Sequence, residues 1–300
     1  MFSTKKNKAQ IEFTHPEDIW KEMPVERNGI IHNLPLFQCG DTITGIVRLS
    51  VPSTKTHHTG IYMMLIGSIE KNKKKPFFFM ELIQELAPEG NLQESQTFKF
   101  EFKNVQVKYE SYNGFQVRLR YFVRLKMTQG QTNYHKDSEF WMIPPFSPPT
   151  VDTSVIKEIG IQDMVHIQVE YLRSKFHLRD VVIGRILFLL SRIKLEKIIL
   201  GVIKREISGK TIKSQKIETF EILDGSPDKG DSIPIRLFLE QFPLTPTFNK
   251  VQKKFSVRYF LNLLLIDEQG KRYVTESEIF LYRNFTPKNV KIIRKVDQEK

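Results

Sequence analysis

The feature that most restricts the fold of this chain is a period-two alternation of apolar and charged residues. The run from Phe98 to Lys103 places three phenylalanines on one side and charged side chains on the other. Val117 to Tyr121 and Ser256 to Phe260 repeat the pattern. Such alternation, over about five to nine residues, is typical of half-buried antiparallel strands. Amphipathic helices are scarce, with Met80 to Leu86 as one candidate, so the sequence predicts an all-β chain built from β-sandwiches.

A proline-rich segment divides the chain near its midpoint. The 300 residues correspond to about two domains of ordinary size. Four of the 15 prolines lie between Ile143 and Thr150. Proline lacks a backbone N–H and is excluded from central strands, which makes this segment a linker candidate. We therefore predict a first domain at 1–146, a linker at 147–153 and a second domain at 154–300.

The two halves share short sequence matches in the same order. Asp41 to Gly45 lies 139 positions before Asp180 to Gly184, and Leu119 to Phe122 lies 138 positions before Val257 to Phe260. Two further matches have similar offsets. Matches at a nearly constant offset predict two diverged copies of one β domain.

Composition excludes several classes of protein without choosing a function. Apolar residues make up 40% and charged residues 27%, as in an ordinary globular protein and unlike a disordered or collagen-like chain. The formal charge of +12 suits nucleic acid, an anionic membrane or an acidic protein as a partner. A single cysteine, Cys39, favours a reducing compartment, and we expect no signal peptide and no membrane-spanning segment.

Spacings typical of catalysis or of cofactor and metal binding are missing. Ser208 to Thr211 resembles the end of a phosphate-binding loop, but Lys204 stands where that loop needs glycine, so we expect a polar hairpin. The zinc-type spacings H-E-x-x-H and C-x-x-C do not occur. We expect His57 and His58 in a solvated loop, and His166 on a strand, facing solvent or a polar partner. The prediction is therefore no enzyme, with no catalytic residue, metal or cofactor.

A basic run followed by aromatic residues is open to several interpretations. Lys71 to Lys75 is typical of a solvated hairpin tip, although phospholipid or nucleic acid would also suit it. Phe77 to Phe79 follow. Three consecutive side chains cannot all face one side of a strand, so at least one of them faces outward or into a partner. Interface, core and lipid contact all stay open for these residues.

Longer strings in the second half carry a resemblance to a known family. The matching strings are Gly160 to Asp163, Asp224 to Pro227, Ser232 to Leu239 and Lys253 to Leu263, with Tyr109 to Tyr112 and Leu119 to Phe122 in the first half. The chain resembles the vacuolar protein sorting-associated protein 26 family, the arrestin-like subunit of the retromer complex. The resemblance is close from about Gly160 to Arg283 and weak before Glu94.

The resemblance implies a fold, a role and a set of partners. The fold would be two arrestin-like β-sandwich domains packed end to end. The role would be that of a non-enzymatic scaffold on the cytosolic face of endosomes, sorting transmembrane cargo to the Golgi or plasma membrane. Its partners would be the solenoid subunit of retromer, through it the phosphodiesterase-like subunit, sorting nexins and cargo tails, with peripheral membrane association and no nucleic acid. Another arrestin-like trafficking adaptor, or a basic protein that binds anionic lipid or nucleic acid, is the alternative.

The resemblance also assigns site residues. The solenoid-binding pair of the family falls on Ile222 and Leu223, although two apolar residues before a polar turn would equally finish a buried strand. Cargo tails of the family add to a strand edge, which corresponds here to 154–160. The residues implied at this cargo and sorting-nexin edge are Ser154, Val155, Ile156, Ile159 and Val274.

Overall fold

The computed structural model contains two compact units. One consists of Met1–Pro145 with Phe285–Lys300, and the other of Phe146–Asn284. The residues that the structure describes are 8–14, 19–50, 56–72, 74–92, 95–145, 152–161, 164–225, 227–284 and 291–294. Most of the predicted linker, 147–151, lies outside them.

The first unit is formed by thirteen of the described strands, one of which comes from the C-terminal end of the chain. They are β1 (Lys8–Thr14), β2 (Ile19–Arg27), β3 (Ile30–Gln38), β4 (Ile43–Ser50), β5 (Thr56–His58), β6 (Ile61–Lys71), β7 (Phe77–Ala87), β8 (Gly90–Leu92), β9 (Ser95–Phe102), β10 (Tyr112–Asn113), β11 (Val117–Gln129), β12 (Thr132–Ile143) and β23 (Lys291–Arg294).

The second unit is formed by ten of the described strands and one short 3-10 helix, Leu239–Gln241. The strands are β13 (Val155–Ile161), β14 (Val165–Tyr171), β15 (Lys175–His177), β16 (Val181–Ser191), β17 (Leu195–Ser208), β18 (Thr211–Asp224), β19 (Ser232–Phe238), β20 (Phe248–Val251), β21 (Phe255–Asp267) and β22 (Arg272–Tyr282).

Two sheets of the first unit enclose an aromatic core. A three-stranded sheet, β1-β4-β9, packs on an eight-stranded sheet ordered β23-β2-β3-β12-β11-β6-β7, with β10 beside β11. Phe13 of the smaller sheet contacts Phe37 and Phe140 of the larger one, with ring centroids 5.8 and 5.6 Å apart. Because these side chains come from opposite sheets and are buried, the alternating runs do form a β-sandwich.

The second unit repeats this architecture. A four-stranded sheet, β13-β14-β16-β19, faces a six-stranded sheet, β15-β22-β21-β17-β18, in which β20 also pairs with β21. Along β14, the residues Val165, Ile167, Val169 and Tyr171 are buried, whereas those between them are half-buried. The prediction of an all-β, two-domain, arrestin-like fold is therefore confirmed.

The internal repeat extends to individual hydrogen bonds. The Asp41 carboxylate accepts a bond of 2.7 Å from the backbone N–H of Gln38. The Asp180 carboxylate, 139 positions later, accepts one of 2.8 Å from the N–H of His177. Each turn leads from a strand that pairs in parallel with a later one, β3 with β12 and β15 with β22. The same carboxylate thus closes the same turn in both units.

Matched glycines occupy the strand after each of these turns. Gly45 lies opposite Phe13 on β1, and Gly184 lies opposite Tyr171 on β14. A Cβ atom on either glycine would lie well inside 3.0 Å of a neighbouring backbone carbonyl oxygen, that of Glu12 or of Glu170. Glycine is therefore required by close approach of the strands at both positions.

Two expectations from the sequence differ from the structure. Met80 to Leu86 form part of β7, which pairs with β6, so the helix predicted there is wrong. The strand pairing available along β6 overrides the weak local helical preference of this segment. At the C-terminus, β23 pairs with β2 of the first unit, whereas we predicted one continuous second domain from 154 to 300.

Candidate protein-interaction surfaces

A groove lies between two edge strands of the second unit. Among the described strands, β18 pairs with β17 alone and β19 with β16 alone, so each ends its sheet. The groove between them has a volume of about 300 Å³. Its apolar lining comes from both sheets and comprises Leu200, Phe220, Ile222, Pro234, Ile235, Leu237 and Phe238.

Ile222 lies in this groove because the strand bulges there. Ile198 pairs with Leu223, but Ile199 pairs with Glu221, so Ile222 is the extra residue of a β-bulge. A bulge re-aims a side chain and interrupts the edge of a sheet. The sequence left open whether Ile222 is an exposed anchor or the end of a buried strand. In the structure its side chain is half-buried, which lies between the two. The structure describes Leu223 by its backbone alone.

Phe238 is an exposed apolar residue of this groove that the sequence analysis did not identify as a site residue. Its side chain is 57% exposed, whereas Leu237 and Leu239 on either side are buried. The alternation from Ile233 to Leu239 contained the signal, because it assigns Phe238 to the outward-facing set. An exposed phenylalanine beside a half-buried isoleucine gives the groove a small apolar centre.

A second edge lies on the other side of the same unit. β13 ends the four-stranded sheet opposite β19, and its single neighbour among the described strands is β14. Ser154 precedes the strand and is exposed, Ile156 is 51% exposed, and Val155 and Ile159 are half-buried. Four of the five residues implied at the cargo edge therefore lie at or along one open edge.

Val274, the fifth residue, lies on a neighbouring strand. Val274 belongs to β22, where it pairs with Leu264 of β21, and its side chain is 56% exposed. Cα atoms of β13 and β22 approach within 8 Å, so the structure brings the two elements together. The small apolar side chain of Val274 thus faces outward on the strand beside the β13 edge.

The start of β13 is held by a carboxylate. Asp152 Oδ1 accepts hydrogen bonds from the backbone N–H groups of Ser174 and Lys175, at 2.9 and 3.1 Å, and from the Ser174 hydroxyl at 3.2 Å. These bonds tie the chain before β13 to the beginning of β15. Because Asp152 falls in the segment that we predicted as a linker, its role was missed.

Backbone chemistry distinguishes the two edges. β19 contains Pro234, which lacks an N–H. β18 carries two bulges, one at Ile222 and one opposite Val202 and Ile203 of β17. Prolines and bulges blunt an edge against strand addition. β13 has neither within Val155–Ile161 and pairs in unbroken register with β14. The geometry therefore suits side-chain docking in the groove and strand addition at β13.

Two buried tyrosines with raised pKa values have structural roles. Burial raises the pKa of Tyr259 to about 12, and its hydroxyl contacts the Thr245 N–H and hydroxyl at 3.0 and 2.9 Å. Burial likewise raises the pKa of Tyr121, which donates to the Tyr109 carbonyl at 2.9 Å. These tyrosines occupy equivalent places in the two units and fix adjoining loops. Within the described stretches, no three His, Cys, Asp or Glu side chains gather as metal ligands would.

The histidines are partly as expected. His166 lies 3.3 Å from the Glu158 carboxylate on the neighbouring strand, which confirms a strand position with a polar partner. The expectation of solvated loop residues is wrong for His58, which lies in β5 and is 3% exposed. Burial, together with the charge of neighbouring His57, lowers the pKa of His58.

Ser208 to Thr211 form the predicted hairpin, with the turn between β17 and β18 at Gly209.

The three phenylalanines after the basic run point in different directions. Phe77 and Phe78 are exposed by 38 and 48%, whereas Phe79 packs on Tyr121 with ring centroids 5.7 Å apart. Phe78 and Phe79 differ because the pairing of β6 with β7 shifts there: Gly67 pairs with Met80 but Ser68 pairs with Phe78, which leaves Phe79 unpaired in the register. The expectation that at least one ring faces outward is confirmed.

Comparison with known proteins identifies the family. A model of the family described as vacuolar protein sorting-associated protein 26 matches residues 5–270. The chain belongs to this family. It is 44% identical over 264 residues to vacuolar protein sorting-associated protein 26 of Dictyostelium discoideum, covering 85% of this chain and 76% of the relative. It is 42% identical over 257 residues to the protein of that name from Plasmodium falciparum (isolate 3D7), with 83 and 86% covered.

A relative from a plant gives the same result. The chain is 39% identical over 272 residues to vacuolar protein sorting-associated protein 26B of Arabidopsis thaliana, covering 88% of this chain and 90% of that protein. Membership of the family supports a role in vacuolar protein sorting and retromer, in endosome-associated protein transport. In the described part of the chain, no helix combines the length and hydropathy needed to cross a bilayer.

Proposed function

We propose that this chain is a non-enzymatic scaffold subunit of retromer that sorts transmembrane cargo from endosomes to the Golgi or plasma membrane. It would bind the helical-solenoid subunit through the second unit and, through that subunit, the phosphodiesterase-like subunit. Sorting nexins and cargo tails would bind the same unit at its other edge. The chain would act on the cytosolic face of endosomes. Family membership supports the general role, and the two edges of one sandwich support this division of partners.

The groove between β18 and β19 is the proposed solenoid site. The observation that carries this assignment is the bulge at Ile222, which places an apolar side chain beside exposed Phe238 on a surface that is poorly suited to strand addition. Small apolar anchors of this kind dominate the energy of many interfaces. A solenoid helix or loop would therefore bind here by side-chain packing.

Co-purification tests the groove. Replacing Ile222→Asp together with Leu223→Asn should weaken binding of the solenoid subunit at least about 30-fold, because losing an anchor costs about 2 kcal/mol or more. A matched control is Ile212→Asp on the same strand, which is 60% exposed but lies ten residues away from the groove. Both variants should keep the thermal transition of the parent. Full binding by the double variant, or equal loss in the control, would contradict the assignment.

β13 is the proposed edge for cargo tails and sorting nexins. An added strand would gain backbone hydrogen bonds from β13, and side chains such as Ile156 and Val274 would contribute selectivity. Ile156→Asp should weaken binding of cargo-tail peptide in the presence of sorting nexin while leaving solenoid binding unchanged. Ile183→Asp, at a 45% exposed position on β16 of the same sheet, is the control. Cargo binding that survives Ile156→Asp and Val274→Asp together would remove β13 from this role.

A further inference from the structure

Three loops of the first unit are connected through residues 113–116, just before β11. They are the β2–β3 turn with the first residues of β3 (Asn28–Ile31), the β6–β7 loop with the first residues of β7 (Asn72–Phe78), and the loop that precedes β11 (Gly114–Gln116). We call them together the lysine–aromatic end. Lys73 lies outside the described residues.

Hydrogen bonds connect the three loops in series. The Asn72 backbone N–H donates to the Gln116 carbonyl and the Asn72 side-chain amide to the Phe115 carbonyl, both at 3.2 Å. Asn113 Nδ2 donates to the Glu26 carbonyl, two residues before the β2–β3 turn, at 2.8 Å. These bonds fix the β6–β7 loop to the loop before β11, and they fix the end of β2 to Asn113, the residue just before that loop.

This surface exposes large apolar side chains from every one of its loops. The exposed residues are Ile30 at 61%, Ile31 at 68%, Phe77 at 38%, Phe78 at 48% and Phe115 at 48%. A single exposed apolar residue is ordinary, but several on adjoining turns mark an interaction surface. The core between the two sheets is formed by other aromatic side chains, among them the buried Phe13, Phe37, Phe100 and Phe140.

Basic residues flank these apolar side chains. Lys74 and Lys75 are exposed in the β6–β7 loop, and Lys71 is half-buried at the end of β6. Glu70 beside them forms ion pairs with Arg118 and Arg120, at 3.8 and 3.0 Å, so its charge is compensated. The surface thus combines apolar loop tips with the exposed positive charges of Lys74 and Lys75.

We propose that the lysine–aromatic end binds directly to an anionic lipid bilayer. Aliphatic and aromatic side chains at loop tips enter the boundary between headgroups and acyl chains, while neighbouring lysines attract anionic headgroups. The net charge of +12 favours such a surface over a neutral one. The contact would be intrinsic to this chain and independent of the proposed solenoid and cargo sites.

Vesicle co-sedimentation of the full chain tests the proposal. The parent should bind vesicles of phosphatidylcholine with phosphatidylserine more tightly than phosphatidylcholine alone. Binding should fall as salt is raised from about 0.1 M to about 1 M, since the Debye length shortens from about 10 to about 3 Å. Lys74→Ala with Lys75→Ala should weaken partitioning about 25-fold, or about fivefold for each lysine.

A matched control separates a local site from general charge attraction. Lys210→Ala with Lys213→Ala removes the same charge from exposed positions of the β17–β18 hairpin and should change partitioning by less than about twofold. For insertion, Phe115→Trp should be quenched by brominated lipid, and Ile212→Trp should not. Equal loss in the two lysine variants, no quenching at position 115, or no salt-sensitive binding by the parent would overturn the proposal. Failure of the solenoid test would leave these measurements unaffected.

Discussion

Gly184 offers a sharp test of how closely the strands of the second unit approach one another. In β16 it faces Tyr171 of β14, and an added Cβ would meet the Glu170 carbonyl oxygen and lie 3.0 Å from the Tyr171 ring. The obstructing oxygen belongs to the backbone, so no side-chain rotation can relieve the overlap. Gly184→Ala should therefore lower the free energy of unfolding by about 1–3 kcal/mol, the usual cost of overpacking.

Gly160 is the matched control within the same sheet. An alanine Cβ there would come no nearer than 3.9 Å, to the Val165 carbonyl oxygen. Gly160→Ala should be neutral or gain about 0.4–1 kcal/mol, because alanine restricts the unfolded chain. Neither glycine has a positive φ, so the contrast isolates the effect of contact from that of backbone conformation.

Calorimetry together with hydrogen exchange measures the effect where it arises. For a unit of about 150 residues, each kcal/mol shifts the transition by about 2–4 °C. Gly184→Ala should also speed amide exchange in β14 and β16, whereas exchange in the first unit should stay unchanged. If the free energies of unfolding of Gly184→Ala and Gly160→Ala differed by less than about 0.5 kcal/mol, the reasoning from close approach would be refuted. Gly45→Ala should repeat the loss in the first unit, since Gly45 meets the Glu12 carbonyl in the same way.

Three further predictions concern the groove, a histidine and an ion-pair cluster. Phe238→Ser should weaken solenoid binding about 70-fold, as measured by calorimetry. A phenylalanine that is 57% exposed has about 100 Å² left to bury in an interface, and at about 25 cal/mol per Å² this area is worth about 2.5 kcal/mol. His58 has a lowered pKa, so it stabilises the fold above the unfolded pKa of about 6.5 and this stabilisation is lost as pH falls. The unfolding midpoint in urea should therefore drop between about pH 7.5 and pH 5, and less steeply in His58→Gln; equal slopes would contradict this. Glu139 accepts hydrogen bonds from Arg27 at 2.6 Å and from Arg118, so Glu139→Gln should cost about 1.5–3 kcal/mol in urea unfolding, and an unchanged midpoint would show that the cluster adds no stability.

The sequence was most informative about strands and least informative about edges. Alternation identified the paired runs because a half-buried strand repeats every two residues, and offsets near 139 located Asp41 and Asp180, which close equivalent turns. Which strand ends a sheet depends on pairing between distant segments, and no local pattern encodes it. For this reason the family resemblance could assign Ile222, but the sequence could not show that a bulge places it in a groove with Phe238.

Long-range contacts also explain the wrong expectations. Met80 to Leu86 have a mixed local preference, and only pairing with β6 makes them a strand. His58 looked like a loop residue because Ser, Thr and Lys surround it, but pairing of β5 with β8 buries it. The role of Asp152 was missed because nearby prolines indicate a linker without regular structure. In the structure its carboxylate accepts hydrogen bonds from three donors.

The open edge of β13 also has a consequence for a molecule of this protein that has not bound the proposed partners. Such a strand is a template for any extended polypeptide, including another molecule of the same protein. Lys157 and Glu158 are exposed on this strand, but their charges are opposite and can face each other across two antiparallel copies, so they do not prevent the pairing. An unassembled copy is therefore open to self-association along β13, and occupation of this edge by the proposed cargo and sorting-nexin ligands would prevent it.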